Sequence, residues 1–168
     1  MKKILLLLFI AVSFSGCEKD DICTDETTPR LILEFFDVSN PTVPKNVINL
    51  KVKGVNSMLD LDLFTGVSKV ELPLDITQDT TKYSLILNST GSLGTPNEDF
   101  LEFNYTRQDI FVSRACGFKT VFTLNSFPNG VIVTNAAAPD LFWIQPENIN
   151  IETTNIATEN ETHVKIYF

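Results

Sequence analysis

The segment TKYSLILN, at residues 81–88, carries a large apolar side chain at every second position from Tyr83 to Leu87. Tyr83, Leu85 and Leu87 share one face if the segment is extended, and the residues between them lie on the other face. A repeat of two residues is typical of a strand in an antiparallel sheet that buries one face and exposes the other. This segment therefore predicts a half-buried β-strand.

Three further segments repeat this alternation, namely NVINLKVKGV at residues 46–55, KVELPLDI at 69–76 and HVKIYF at 163–168. Their apolar faces comprise Ile48, Leu50, Val52, Val70, Leu72, Leu74, Ile76, Val164, Ile166 and Phe168. Pro73 interrupts the second segment and has no N–H to donate to a neighbouring strand. We therefore expect that segment at the edge or at one end of a sheet.

Turn-forming residues separate these segments from further strand candidates. Turns are predicted at residues 39–41, 65–66, 91–96 and 127–130, each of which contains Gly or Pro. The remaining strand candidates are RLILEFFDV, DFLEFNYT, DIFVS, FKTVFTL, GVIV and ENINIE. No window predicts a long amphipathic helix, and Met58–Phe64 and Asn135–Leu141 are expected to hold a helical turn at most.

Many short strands in a chain of this length indicate one all-β domain at residues 29–168. About nine or ten antiparallel strands predict a single β-sandwich of immunoglobulin-like type. A jelly roll or a small closed barrel is the alternative.

The first sixteen residues have the layout of a secretory signal peptide. Two lysines precede an apolar run from Ile4 to Val12, which is too short to span a bilayer because a spanning helix takes about 20 residues. Small residues before Cys17 resemble a bacterial lipobox, although Phe14 stands where Leu is usual. Residues 1–16 are therefore expected to be removed and Cys17 to carry lipid that anchors the chain to the outer membrane. A plain signal peptide followed by a free Cys is the alternative.

Residues 17–28, CEKDDICTDETT, are polar and acidic and show no periodicity, so we expect a tether. Lys19 followed by Asp20 and Asp21 resembles the export signal of Bacteroidetes lipoproteins, which directs them to the outer face of the outer membrane. This pattern predicts display on the cell surface. A solvated tether on a protein that faces the periplasm is the alternative.

Three cysteines are present, and lipidation of Cys17 leaves Cys23 and Cys116 as an even pair in an exported protein. We expect them to form a disulfide, with two buried thiols as the alternative. The bridge would close a long loop and pin the tether to the domain. In the chain-entropy account that constraint is worth roughly 4–5 kcal/mol.

The mature chain is acidic. Removal of Lys2 and Lys3 leaves 11 basic side chains against 21 acidic ones, a net charge of −10. Since such a chain repels phosphate backbones and carries no Lys/Arg cluster, we do not expect nucleic acid as a partner.

Side chains that usually carry catalysis are scarce. His163 is the single histidine, and because it lies on the face opposite Val164 and Ile166 we expect it to be solvated rather than a base. Asp60 and Asp62 share a face of an extended segment, but calcium takes six or more oxygen ligands, so no metal site is predicted. The sequence contains no nucleophile elbow, zinc-binding helix or phosphate-binding glycine loop. Neither an enzyme nor a cofactor is predicted.

Phe142 and Trp143, between Pro139 and Pro146, are candidates for an exposed platform on which a sugar could stack. The alternative is that this aromatic pair belongs to the core or anchors a loop. The first interpretation would make the protein a glycan-binding module.

Four segments, GCEKDDIC, TPRLILEFFD, FVSRACGFK and HVKIYF, resemble a family of Bacteroidetes outer-membrane lipoproteins classed as a domain of unknown function. The resemblance covers essentially the whole mature chain. It implies that Cys23 and Cys116 are regular features and brings no catalytic residues. It also implies a partner, since such proteins occur alongside a predicted outer-membrane β-barrel protein.

The expected function is therefore that of a non-enzymatic lipoprotein, an interaction or accessory subunit of an outer-membrane β-barrel protein complex. A surface glycan-binding lipoprotein that uses Phe142 and Trp143 is the alternative.

Overall fold

The structure is a computed structural model that describes residues 22–24, 27–55, 60–135 and 142–168, without the side chains of Asp60 and Asp62. Within these ranges the chain forms two β-sheets that pack against each other. The strands are β1 (Leu31–Asp37), β2 (Asn40–Pro44), β3 (Leu50–Gly54), β4 (Asp60–Phe64), β5 (Lys69–Leu72), β6 (Thr80–Leu87), β7 (Asn97–Ser113), β8 (Gly117–Leu124), β9 (Val131–Asn135), β10 (Ile149–Ile151), β11 (Asn155–Ile156) and β12 (Val164–Tyr167). One 3₁₀ turn, Pro146–Asn148, precedes β10. The predicted all-β sandwich is confirmed.

The first sheet is built around β1. On one side β12 runs parallel to β1, with Leu33 opposite Val164, and β10 continues the sheet antiparallel to β12. On the other side β5 pairs with the first half of β1 and β2 with its second half, both antiparallel. β5 ends at Leu72, directly before Pro73, as expected for a residue that cannot extend the ladder.

The second sheet is antiparallel throughout, in the order β11-β8-β7-β6-β3-β4. β7 is 17 residues long and dominates this sheet. β6 pairs with residues 97–104 of β7. On the other side of β7, β9 pairs with residues 99–103 and β8 pairs with residues 105–113. Residues 106–113 of β7 lie beyond the segment that pairs with β6 and β9. Together with the first part of β8 they form a hairpin that extends past those two strands.

The core lies between the two sheets and takes alternate side chains from each. The first sheet contributes Leu31, Leu33, Phe35, Val70, Leu72, Val164 and Ile166. The second contributes Leu50, Val52, Tyr83, Leu85, Leu101, Phe103, Tyr105, Phe122, Leu124 and Ile156. Burial of each large side chain contributes roughly 1.5–3 kcal/mol. Among the described residues no helix is long and apolar enough to cross a membrane.

Two residues expected on buried faces are exposed. Ile48 is 45% exposed because β3 begins only at Leu50, and Asn49 between them has φ of 52°, which interrupts the alternation. Ile76 is 54% exposed because it lies beyond Pro73, outside β5.

Three further expectations differ from the structure. Asp60–Phe64 forms β4 rather than a helical turn. The exposed segment Asn40–Pro44 forms β2, which its composition did not predict. DFLEFNYT and DIFVS, expected as two strands, are parts of the single strand β7.

Candidate functional site

The predicted lipid-attachment and export residues, Cys17, Lys19, Asp20 and Asp21, lie outside the described residues. The described chain begins at Ile22, five residues after Cys17.

Cys23 is bonded to Cys116, with Cα atoms 4.8 Å apart and a sequence separation of 93. That Cα separation lies within the ordinary range for a disulfide, about 4.4–6.8 Å. Cys116 occupies the turn between β7 and β8. The expected bridge is present, and it holds the beginning of the described chain covalently to the end of the hairpin.

The hairpin turn, residues 114–116, is fixed by two local features. The Cys116 N–H donates a hydrogen bond to Ser113 Oγ at 3.1 Å, and Ser113 lies opposite Gly117 in the ladder. Gly117 has φ of 71°, a left-handed conformation that other residues adopt at a cost. The sequence RACG is therefore suited to a tight turn that presents a cysteine.

Residues 27–30 connect this end of the hairpin to the sandwich. The Thr120 N–H on β8 donates to Thr28 Oγ1 at 3.1 Å. Arg30 then binds Glu159 through two parallel bonds of 2.8 and 2.7 Å, and its Nη1 lies 2.6 Å from Glu71 Oε2. These bonds raise the pKa of Arg30 and lower the pKa of Glu159. The ion pairs are partly exposed, so each contributes at most about 1 kcal/mol, but together they direct the chain into β1.

Two aromatic rings are exposed beside the disulfide. Phe111 and Phe118 lie opposite each other in the ladder, 57% and 69% exposed, and their ring centroids are 5.4 Å apart. Ile22, next to Cys23, is 76% exposed. We call residues 111–118 the hairpin tip. The sequence predicted strands here but not that these phenylalanines would face solvent.

Trp143 is buried and does not form the sugar platform that the glycan-binding interpretation required. Its indole is 9% exposed, donates from Nε1 to the Leu85 carbonyl at 3.2 Å, and packs against the rings of Phe35 and Phe168. Phe142 beside it is half-buried. Trp143 is therefore a core residue, the alternative considered above, whereas Phe142 lies at the margin of the core.

Asp99 holds the Trp143 segment in place. Its Oδ2 accepts the backbone N–H groups of Trp143 and Ile144 at 2.9 and 2.8 Å, and its side chain is fully buried. Burial raises the pKa of this carboxyl, and the two N–H donors oppose that change. No motif marks Asp99 in the sequence, where it is an ordinary acidic residue before an apolar strand pattern.

His163 is fully buried, which corrects the expectation that it would be solvated. It lies just before β12. Its ring Nδ1 accepts the Ile32 N–H at 2.8 Å, and its backbone N–H donates to the Ile32 carbonyl at 3.0 Å. Burial lowers the pKa of the imidazole. The neutral ring thus continues the parallel β1–β12 ladder by one side-chain bond, which is a structural role.

A cleft of about 640 Å³ lies beside the loop that follows β5. The Tyr83 hydroxyl donates to the Pro73 carbonyl, and the Tyr105 hydroxyl donates to the Asp75 carbonyl at 2.9 Å. Burial raises the pKa of both phenols, so they stay neutral donors that fix the loop. In the described part of the chain, no three His, Cys, Asp or Glu side chains are grouped so that they could hold a metal ion.

Comparison with known proteins found one family. Residues 49–168, which begin one residue before β3, match a family described as Family of unknown function (DUF6452). No curated protein and no solved structure matches the chain. Since the family match covers most of the sequence and all strands from β3 onward, this chain belongs to the DUF6452 family of unknown function.

Proposed function

We propose that this protein is a bacterial outer-membrane lipoprotein, cleaved before Cys17 and lipidated there, that acts as a non-enzymatic accessory subunit of an outer-membrane β-barrel protein complex. The lipobox-like end of the first sixteen residues supports the anchor. The Lys19-Asp20-Asp21 pattern supports a Bacteroidetes origin and display on the outer face.

The observation that carries the proposal is the bond between Cys23 and Cys116. Cys17 precedes Cys23 by six residues, so a lipid on Cys17 would hold the whole sandwich close to the membrane by a short, cross-linked connection. Confinement to the membrane plane raises the effective concentration of the domain near membrane proteins. Strands at the edges of the two sheets, such as β4 and β10, offer backbone groups for docking without a pocket.

A first experiment tests the anchor. Cys17→Ser should leave the precursor unprocessed or release the protein into the soluble fraction, because the thiol that accepts the lipid is lost. Membrane fractionation and mass spectrometry of the N-terminus measure this, with the paired Cys23→Ser and Cys116→Ser variant as a control that keeps the lipidation site and leaves no unpaired thiol. A Cys17→Ser chain that is still cleaved and membrane-bound would exclude a lipoprotein.

A second experiment tests the accessory role. The lipidated protein is purified from native membranes in mild detergent, and the co-purifying proteins are identified and quantified. Recovery of a β-barrel protein in stoichiometric amount supports the proposal. Recovery of a lone monomer that binds a polysaccharide would contradict it and would restore the glycan-binding alternative, which the burial of Trp143 leaves without a stacking platform.

A further inference from the structure

We infer that the hairpin tip is a lipid-contacting element: Phe111 and Phe118 insert into the boundary between headgroups and acyl chains of the membrane that holds Cys17. This inference rests on the proposed lipidation. It adds an orientation, with the β7–β8 turn facing the bilayer and the sandwich standing away from it.

Chain length keeps the tip near the membrane. Cys23 follows Cys17 by six positions, a stretch that spans at most about 21 Å when fully extended. Cys23 is bonded to Cys116, two residues before Phe118. Whatever conformation the tether adopts, the disulfide therefore stays within about 20 Å of the lipidated residue.

The chain also leaves the tip in the direction of the sandwich. Cys23 is joined to the turn by its disulfide with Cys116. Farther along the chain, Thr28 accepts a hydrogen bond from the Thr120 N–H on β8, and β1 begins at Leu31. The residues that precede Cys23, including exposed Ile22, must accordingly start from the end of the hairpin. The tip is thus the part of the domain from which the anchor departs.

The chemistry of the tip suits a lipid interface. Phe111 and Phe118 leave more than half of each side chain exposed although they pack on each other. The β7–β8 ladder satisfies the backbone groups that face each other within the hairpin, and the groups on its outer edges can bond water and headgroups, which are present at the interface but not in the hydrocarbon core. Arg114 in the turn is exposed and can reach lipid phosphates, in a chain that is otherwise acidic.

A matched control exists in the same sheet. Phe127 is 69% exposed, the same fraction as Phe118, but it lies in the loop between β8 and β9. That loop is bonded to Asn104 through Asn125. Asn104 precedes Phe111 by seven residues of β7, a distance of about 24 Å along the strand.

The experiment places the full lipidated chain in vesicles whose phospholipids carry bromine at a shallow acyl position. Phe118→Trp and Phe127→Trp are compared with the parent chain, whose single, buried Trp143 gives the background emission. Bromine should quench the added fluorescence of F118W, and entry into the apolar boundary should shift its emission to shorter wavelength, whereas F127W should show neither effect. F111W is the second tip variant, in case F118W folds poorly.

The outcomes separate the two proposals. If the parent chain does not co-sediment with vesicles, the lipoprotein proposal fails and the inference fails with it. If the chain co-sediments but F118W and F111W are unquenched, or are quenched no more than F127W, the lipid contact alone is overturned. A photoreactive side chain at position 118 that captures a protein instead of lipid in native membranes would likewise overturn it and identify the tip as a protein-docking surface.

Discussion

Asp99 is a buried carboxyl whose role is to hold a backbone segment. Its Oδ2 accepts two N–H groups, those of Trp143 and Ile144, where the chain enters the core. The Trp143 indole then reaches the Leu85 carbonyl and the ring of Phe168. The acceptor oxygen matters here, whereas the negative charge is costly because the side chain is fully buried.

Replacement of Asp99 by Ala or by Asn separates the role of its acceptor oxygen from the cost of its buried charge. Asp99→Ala leaves two buried N–H donors without their acceptor and should lower the free energy of unfolding by about 2–4 kcal/mol. Asp99→Asn keeps an oxygen for both donors and should cost less than about 1 kcal/mol. Urea unfolding followed by the fluorescence of Trp143 measures both variants. Equal destabilisation by Ala and Asn would show that charge, not the acceptor, is required.

His163 predicts a pH dependence of stability. Burial lowers the pKa of the imidazole in the folded chain below its ordinary value of 6.5. In acid the unfolded chain therefore binds a proton at His163 more readily than the folded chain does. Stability should therefore fall as the pH drops below about 6.5, by up to about 1.4 kcal/mol between pH 7.5 and 5.5.

The control for this prediction is His163→Asn, which retains an acceptor in the position of Nδ1 for the Ile32 N–H but does not titrate. Urea unfolding at pH 7.5 and 5.5 measures both proteins. The difference between the two pH values should disappear in the variant. If it persists unchanged, other groups cause it.

At the scale of elements, alternation predicted strands well where the backbone stayed extended. Leu50, Val52, Leu72 and Leu85 are all fully buried, as expected. The alternation failed to predict burial where a local backbone conformation or a neighbouring strand altered the extended pattern. Ile48 is exposed because the left-handed Asn49 precedes β3, and such a conformation at Asn has no unique signal in one sequence.

The disulfide links two elements that are distant in sequence and gives a third prediction. Cys23→Ser with Cys116→Ser should lower the free energy of unfolding by roughly 4–5 kcal/mol, because the unfolded chain loses a long covalent loop. The paired replacement avoids a reactive single thiol. Urea unfolding measures stability, and limited proteolysis should cut residues 24–29 sooner in the variant.

A matched control tests whether the covalent link itself is responsible. Ser113→Ala removes the hydroxyl that accepts the Cys116 N–H but keeps the bridge, and should have a much smaller effect. Alkylation of both Cys23 and Cys116 in freshly isolated parent protein would contradict the existence of the bridge in the cell.

At the scale of the whole molecule, the two-sheet architecture was predictable and the hairpin tip was not. Period-two patterns and turn residues determine that strands form and roughly where they end. They do not show how far a strand extends past its neighbours. Phe111 and Phe118 therefore read as ordinary strand residues, and only the pairing of β7 with β8 beyond the reach of β6 reveals that they are exposed.

The orientation of the whole molecule at the membrane provides the last prediction. If Lys19, Asp20 and Asp21 act as an export signal, the mature protein faces the outside of the cell. Protease added to intact cells should then remove the parent protein, whereas a variant with Ala at these three positions should be retained inside and protected. Because a receptor recognises such a signal, its loss should change where the protein is delivered but should not affect its attachment to lipid.

The choice of protease decides whether this experiment is interpretable. Trypsin would lose the Lys19 cleavage site in the variant and imitate protection, so proteinase K, which does not depend on Lys19, is required. Both proteins should be degraded equally in permeabilised cells, which controls for intrinsic resistance of the sandwich. Degradation of both proteins in intact cells would show that the signal lies elsewhere, and resistance of both in intact cells would place the protein on the periplasmic face.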